Sequence, residues 1–167
     1  MTGRVVILDR DGVITPKLPT DEYILRDDQV KLAEGAAEGL RVLASAGFRL
    51  FIFSNQKCVA KGLITLDEAE RLQAGVIALV EAEEVRIEGA RLCPHRDEDD
   101  CACRKPKPGM ILDLATTHGF DPASAIVIGD SARDIDAGVA AGCGACYLID
   151  GETYGTLLDV AHAIMNT

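Results

Sequence analysis

The chain has 167 residues, with 17 basic side chains against 27 acidic ones and a formal net charge of −10. That balance argues against nucleic acid or an anionic membrane surface as the main partner, because both need a basic face. No apolar run approaches the ~20 residues that span a bilayer, and Val5-Val6-Ile7-Leu8 is too short to be an export signal before Asp9 interrupts it. Six cysteines without an export signal suggest reduced thiols or a metal site, not a disulfide framework. With 48% hydrophobic residues, the expectation is one globular, cytoplasmic domain over residues 1–167.

Short apolar runs alternate with helical patterns along the chain. Arg4–Leu8 reads as a buried strand. Gly35–Ala46 carries Ala36, Leu40, Leu43 and Ala44 at helical spacing, with Gly47 as the residue that stops it. Phe48–Phe53 is the next strand. Thr65 and Glu68 form a capping-box pattern that opens a helix running to about Glu84, and Val85–Leu92 alternates as a third strand. Pro108 suits the first turn of a helix that ends near His118-Gly119. Ala125–Ile128 reads as a strand, Ala132–Ala141 as a helix, Cys146–Ile149 as a strand and Thr156–Met165 as a final helix. Strand and helix in this alternation predict an α/β fold with a doubly wound, mostly parallel sheet. Ligands in such sheets bind beyond the carboxyl ends of the strands.

Those ends are polar. The first strand runs into Asp9-Arg10-Asp11-Gly12, the second into Ser54-Asn55-Gln56, and the fourth into Gly129-Asp130-Ser131 with Asp134 a helical turn later. Lys105 stands just before the Pro108 helix. Two carboxylates at i and i+2 on a strand tip repel unless a cation or a division of labour separates them. Magnesium takes oxygen ligands, and Asp9, Asp130 and the backbone carbonyl of Asp11 are the expected ones. Asp9 is then the nucleophile toward phosphorus, and Asp11 the group that protonates the leaving alcohol and later deprotonates water. Ser54 and Lys105 are expected to hold the phosphoryl oxygens, whose charge peaks in the transition state. The basic residues Arg10, Lys57, Arg104, Lys105 and Lys107 gather near these motifs and suit a small phosphorylated anion.

A second constellation is Cys93-Pro94-His95 followed by Cys101-Ala102-Cys103. Three cysteines and a histidine within one loop, 93–103, match a closed tetrahedral zinc site with a structural role. The acidic run Asp97–Asp100 inside the loop reads as its solvated outer edge. Cys143 and Cys146 are taken as cysteines of a turn and a buried strand, and His118 and His162 as helix-end residues.

These residues resemble the haloacid dehalogenase superfamily in its phosphatase branch, over nearly the whole chain from Val5 to Ile149. Asp9-Arg10-Asp11-Gly12 looks like motif I, Ser54-Asn55-Gln56 motif II, Lys105-Pro106-Lys107-Pro108 motif III, and Gly129-Asp130 with Asp134 motif IV. The cysteine loop running into Arg104-Lys105-Pro106 is similar to that of two families, the heptose 1,7-bisphosphate 7-phosphatases and the histidinol-phosphate phosphatases. The resemblance implies magnesium and zinc as cofactors, an aspartyl-phosphate intermediate and a small phosphorylated metabolite as substrate. It places Asn55, Gln56, Lys57 and Arg104 around that substrate, together with a flap over residues 17–21 that includes Lys17 and Thr20. Lys57-Cys58 departs from the family pattern after motif II, and Thr15-Pro16 from the asparagine common after motif I. The space between motifs leaves no room for a separate cap domain, so a monomer with a pocket shaped by flap and zinc loop is expected. Two non-enzymatic readings compete, a phospho-acceptor receiver domain and a zinc-binding interaction module. A receiver carries its acceptor after strand three, where this chain has Cys93, and an inactive module would lack one of Asp9, Asp11, Lys105 or Asp130.

Overall fold

A computed structural model describes residues 3–167. The elements follow in order as β1 (Val5–Leu8), α1 (Ala36–Ser45), β2 (Arg49–Asn55), a one-turn α2 (Lys57–Ala60), α3 (Leu66–Ala82) and β3 (Ile87–Cys93). Then come α4 (Gly109–His118), β4 (Ala125–Gly129), α5 (Ala132–Ala141), β5 (Ala145–Leu148) and α6 (Leu157–Met165). The five strands form one parallel sheet in the order β3-β2-β1-β4-β5. The chain winds outward from β1 to β3, then returns to lay β4 on the other side of β1. The direction of winding therefore reverses between β1 and β4, where an open parallel sheet leaves its binding crevice.

Strand periodicity explains why β1 is apolar throughout. Val6 and Leu8 face a cluster with Leu40, Leu43, Val76, Val80, Val160 and Ile164, contributed by α1, α3 and α6. Val5 and Ile7 face the opposite cluster with Phe51, Phe53, Met110, Ile111 and Leu114, contributed by β2 and α4. Each fully buried aliphatic side chain stabilises the fold by about 1.5–3 kcal/mol. A strand covered on both faces has no position left for a polar residue until it leaves the core, which happens at Asp9.

All five expected strands form, with ends displaced by a residue or two. β2 runs to Asn55 and not Phe53, because Ser54 and Asn55 pair in register with Leu92 and Cys93 of β3. That pairing sets Ser54 on a rigid strand. β3 begins at Ile87, since the chain turns at Glu84 through a left-handed φ of 61° before it can extend. The Thr65–Glu68 capping box is present at the start of α3, and Gly47 takes a left-handed φ of 83° just past α1. The one-turn α2 has no periodic signal, being shorter than a hydrophobic repeat. No described helix is long and apolar enough to cross a membrane.

Candidate active site

The reversal point between β1 and β4 brings the polar strand ends together. Asp9 leaves β1 buried, with its amide hydrogen-bonded to the Ile128 carbonyl of β4 at 2.9 Å. One carboxylate oxygen, Oδ1, accepts from the Lys105 ammonium at 2.9 Å and from the Arg10 amide at 2.8 Å. Lys105 is 3% exposed and also reaches Asp134 Oδ1 at 2.6 Å and the Phe53 carbonyl at 3.2 Å. Its ammonium lies 4.1 Å from the centroid of the Phe53 ring. Burial alone would push Lys105 down, but Asp9 and Asp134 outweigh it and keep the amine protonated. Asn55 fixes the lysine from behind, since its amide group exchanges two hydrogen bonds with the Lys105 backbone, at 3.1 and 3.2 Å.

Asp11 is held differently. Its oxygens accept from Arg10 at 2.8 and 3.0 Å, from Thr15 Oγ1 at 2.8 Å and from Gln56 Nε2 at 3.1 Å. Burial pushes the Asp11 carboxyl up, and the Arg10 guanidinium with these hydrogen bonds more than reverses that, so the group is held below the usual carboxylate range. Gln56 is buried and also donates to Ser54 Oγ at 2.6 Å, which leaves the serine hydroxyl hydrogen to point elsewhere.

Asp9, Asp11, Ser54 and Lys105 share one cavity of about 240 Å³. Asn55, Arg104, Ser131, Arg133 and Asp134 complete its wall. A larger groove of about 460 Å³ between α3 and β3 is lined mostly by apolar side chains such as Leu66, Ile77 and Leu92, and carries no comparable cluster.

The donor set fits a hard divalent cation. Asp9, Asp130 and Asp134 each offer an oxygen within 4.8 Å of the others. Lys105 neutralises part of that charge, while Lys17 reaches Asp130 at 3.3 Å from a side chain that is 70% exposed. Burial first, then the neighbouring Asp134 and Asp130 carboxylates, push Asp9 well above its ordinary value despite Lys105. An uncompensated negative charge of this kind is what a bound cation removes. Asp134 spends its oxygens on Lys105, the Asp130 and Ser131 amides and the Ser131 hydroxyl, so Asp9 and Asp130 are the carboxylates left for an ion.

Gly12 makes the approach of Asp130 feasible. Its φ is 93°, and a Cβ there would lie 2.1 Å from Asp130 Oδ2. Gly12→Ala must therefore move either the Asp9–Asp11 turn or Asp130. We expect kcat/KM to fall by about 100-fold or more, the scale of a misplacement near 1 Å. Steady-state assay beside a melting curve checks this, and an active, stable variant would remove Asp130 from the site.

The cysteine loop also closes as expected. Cys93 Sγ lies 3.1 Å from Cys103 Sγ and 3.7 Å from Cys101 Sγ, while His95 Nδ1 lies 3.5 Å from Cys93 and 3.3 Å from Cys103. Zinc–sulfur bonds of ~2.3 Å at tetrahedral angles require edges of about 3.7 Å, so the cluster is slightly contracted around a zinc-sized centre. The Arg104 amide donates to Cys101 Sγ at 3.3 Å, an outer hydrogen bond of the kind that orients metal ligands. Burial raises the Cys101 thiol, and that amide with the Cys103 and Cys93 sulfurs outweighs it, bringing the thiol down to about 7. Where the loop meets α4, a Cβ on Gly109 would lie 2.1 Å from the Ala102 carbonyl, which keeps this crossing closed to larger residues.

Several expected residues sit elsewhere. Lys17 is drawn to Asp130 on the rim of a separate depression, and Thr20 is exposed. Lys57 opens α2 outside the cavity wall, because α2 packs its next residue, Cys58, fully into the core. That burial raises the Cys58 thiol and removes it from solvent. The flap is tied down instead by Lys61, which pairs with Asp21 at 3.0 Å and stands over the Tyr23 ring. Arg10 is no part of a surface basic patch, being 1% exposed and spent on Asp11, and Lys107 pairs with Asp100. Nor is Asp97 merely a solvated edge, since it bridges Arg104 and Arg133. Arg133 has no distinctive sequence pattern, and although the sequence sets Asp134 beside Asp130 at the strand end, its grip on Lys105 leaves no local sign, because Asp134 also closes the capping box of α5.

Comparison with known proteins finds relatives along most of the chain. The HAD-hydrolase-like family model matches residues 102–163. The D-glycero-beta-D-manno-heptose-1,7-bisphosphate 7-phosphatase of Rhodopseudomonas palustris is 39% identical over 142 residues, covering 81% of this chain and 77% of its own. The alpha-anomer counterpart of Mycobacterium bovis is 33% identical over 161 residues, covering 93% of this chain and 84% of its own. In three dimensions the chain is similar to the heptose bisphosphate phosphatase of B. bronchiseptica, solved with magnesium and phosphate, with a TM-score of 0.84, 28% identity and 98% of each chain covered. A doubly wound core shared over nearly its whole length with one solved phosphatase, together with 39% identity to another, places the chain among the haloacid dehalogenase-like phosphatases, in the heptose bisphosphate phosphatase family.

Proposed function

We propose that this phosphatase hydrolyses the 7-phosphate of D-glycero-D-manno-heptose 1,7-bisphosphate in the cytoplasm, acting as one catalytic domain with magnesium at the reacting centre and zinc in the cysteine loop. The observation that carries the reading is Asp9, gripped on one oxygen by a buried lysine and placed in the same cavity as Asp11 and Ser54. Asp9 keeps Oδ2 free of Lys105 and Arg10, which both bind Oδ1, so one oxygen is available to attack phosphorus in line. The P–O bond to the sugar breaks as the Asp9–phosphorus bond forms, and water then cleaves the aspartyl-phosphate.

Lys105 and the Ser54 hydroxyl face the phosphoryl oxygens whose charge grows in the transition state. Asp9, Asp130 and the Asp11 carbonyl would hold a magnesium ion, which when bound would add positive charge beside those oxygens. The ion pair with Arg10 presets Asp11 as the base that takes a proton from the attacking water. Its acid half-reaction requires that pair to loosen when the sugar oxygen arrives.

Phosphate release from the heptose bisphosphate and from histidinol phosphate, measured side by side with magnesium, tests the assignment. The expected result is a preference of at least about tenfold in kcat/KM for the bisphosphate. Preference for histidinol phosphate would move the enzyme to that substrate and leave the phosphatase chemistry standing.

A further inference from the structure

Gln56 touches two groups of the transfer chemistry without lining the cavity itself. The family resemblance sets it beside the substrate, yet it is 1% exposed and lies outside the wall that holds Asp11, Ser54 and Asn55. Its carboxamide has two N–H groups, and both are committed within the protein. Nε2 donates to Asp11 Oδ2 at 3.1 Å and to Ser54 Oγ at 2.6 Å. At the other end, Oε1 accepts from the Cys58 thiol at 3.6 Å. The backbone is pinned as well, with the Gln56 amide on the Cys93 carbonyl at 2.7 Å and the Gln56 carbonyl accepting from the Val59 amide at 3.2 Å. No side-chain donor is left for a substrate.

An ionised carboxylate only accepts, so the nitrogen end of the carboxamide has to face Asp11. Cys58 enforces the same choice from the opposite end, because a thiol hydrogen finds its acceptor only in the carbonyl. That thiol is fully buried at the Lys57-Cys58 departure from the family pattern, and burial keeps it in the protonated, donating form. A flipped amide would set Oε1 against the Asp11 carboxylate, two buried acceptors with no hydrogen between them. Ser54 depends on the same orientation. With its oxygen accepting from Gln56, its own hydrogen is left for a phosphoryl oxygen in the cavity.

We infer that Gln56, locked in one orientation by the Cys58 thiol, is a positioning residue that aims the Asp11 carboxyl at the departing sugar oxygen and the Ser54 hydroxyl at the phosphoryl group. The inference rests on the phosphatase reading of the cavity. Gln56 and Cys58 act through Asp11 and Ser54 and touch no substrate themselves.

The leaving group provides the test. A departing sugar oxygen needs the proton that Asp11 delivers, whereas p-nitrophenolate leaves without one. The readout is kcat/KM on heptose 1,7-bisphosphate divided by kcat/KM on p-nitrophenyl phosphate. Gln56→Met keeps the length and loses the donor. It is expected to lower kcat/KM about tenfold on the aryl phosphate through Ser54 and about 100-fold on the bisphosphate, so that the ratio falls about tenfold, with the loss in kcat. Cys58→Ala should lower the ratio about fivefold, and Cys58→Ser, which restores a donor, should return it to within about twofold of wild type. The Cys58 pair is read even where Gln56→Met fails to fold. Equal losses on both substrates, a raised KM for the bisphosphate with kcat intact, or a Cys58→Ser variant no better than Cys58→Ala overturns the inference. Asp9→Asn on the same aryl phosphate decides the phosphatase reading separately, since abolished release there upholds that reading even where the ratio never moves.

Discussion

Asp9→Asn is expected to abolish phosphate release, with a loss on the order of 10⁴-fold or more, while the protein melts no lower than wild type. The rate prediction follows from chemistry, because an amide cannot accept the phosphoryl group and no other carboxylate in the cavity takes its place. Asp134 is spent on Lys105 and on the amides of Asp130 and Ser131. Asp11 is turned toward Arg10, Thr15 and Gln56. The stability prediction follows from charge. Asp9 is buried beside Asp130 and Asp134, and one buried lysine serves Asp9 and Asp134 together.

Asparagine at position 9 has the same shape, keeps a carbonyl oxygen for Lys105 and removes one of the repelling charges. Lys105 retains Asp134 as a full ionic partner, so no buried charge is stranded. In metal-free buffer we therefore expect Tm to rise by roughly 2–4 °C, the size of a ~1 kcal/mol gain in a domain of this length. With saturating magnesium the difference should shrink, since the ion performs the same neutralisation in wild type. Calorimetry with and without magnesium checks both halves. A variant that melts well below wild type in chelator would show that the three carboxylates are not in conflict, and the cation site would lose its main support.

Removing zinc is expected to cost stability and activity together. In Cys101→Ser, zinc content should fall well below one equivalent, Tm should drop by roughly 5–10 °C and kcat/KM should fall by about 100-fold. Hydrophobic burial does not hold the loop, because its tip around Asp97–Asp100 is polar and exposed. What anchors it is the cluster itself, seated on Cys93 at the end of β3 and packed beside Phe53 and Met110. The loop delivers Arg104 and Lys105 directly from its last ligand, Cys103. Once the cluster opens, Asn55 alone holds the Lys105 backbone from the strand side, and the ammonium loses its register against Asp9. Metal analysis, melting curves and turnover on one preparation test the linkage. Loss of zinc with full activity would make the cluster a bystander to the site.

The parts legible in the sequence were those with local physical signatures. A run such as Val5–Leu8, buried on both faces, has to be apolar, and the first polar residues after it mark the strand's carboxyl end. The cluster of Cys93, His95, Cys101 and Cys103 is legible in the sequence because all four lie within one short loop and no long-range contact is needed to assemble it. A charged residue between two aspartates reads as surface, so the burial of Arg10 has no local sign in the sequence. Only the packed structure shows it buried on Asp11, with the Thr15 hydroxyl and the Gln56 amide completing the cage.

The family resemblance sets Lys17, Thr20 and Lys57 around the substrate. In the structure none of the three lines the cavity wall, since α2 turns Cys58 inward, Lys61 ties the flap to Asp21 and Lys17 reaches Asp130 from outside. The alternation of strand and helix, the polar strand ends and the cysteine loop are all written locally in the sequence, because each depends on neighbours a few residues away. The tertiary structure alone decided that Asp134 grips Lys105 from 29 positions along the chain, and that Asp97 binds Arg133 from 36 positions away. Pairs so distant leave no periodic trace, and only the reversal of winding between β1 and β4, with the loop folded over it, brings them within hydrogen-bond reach.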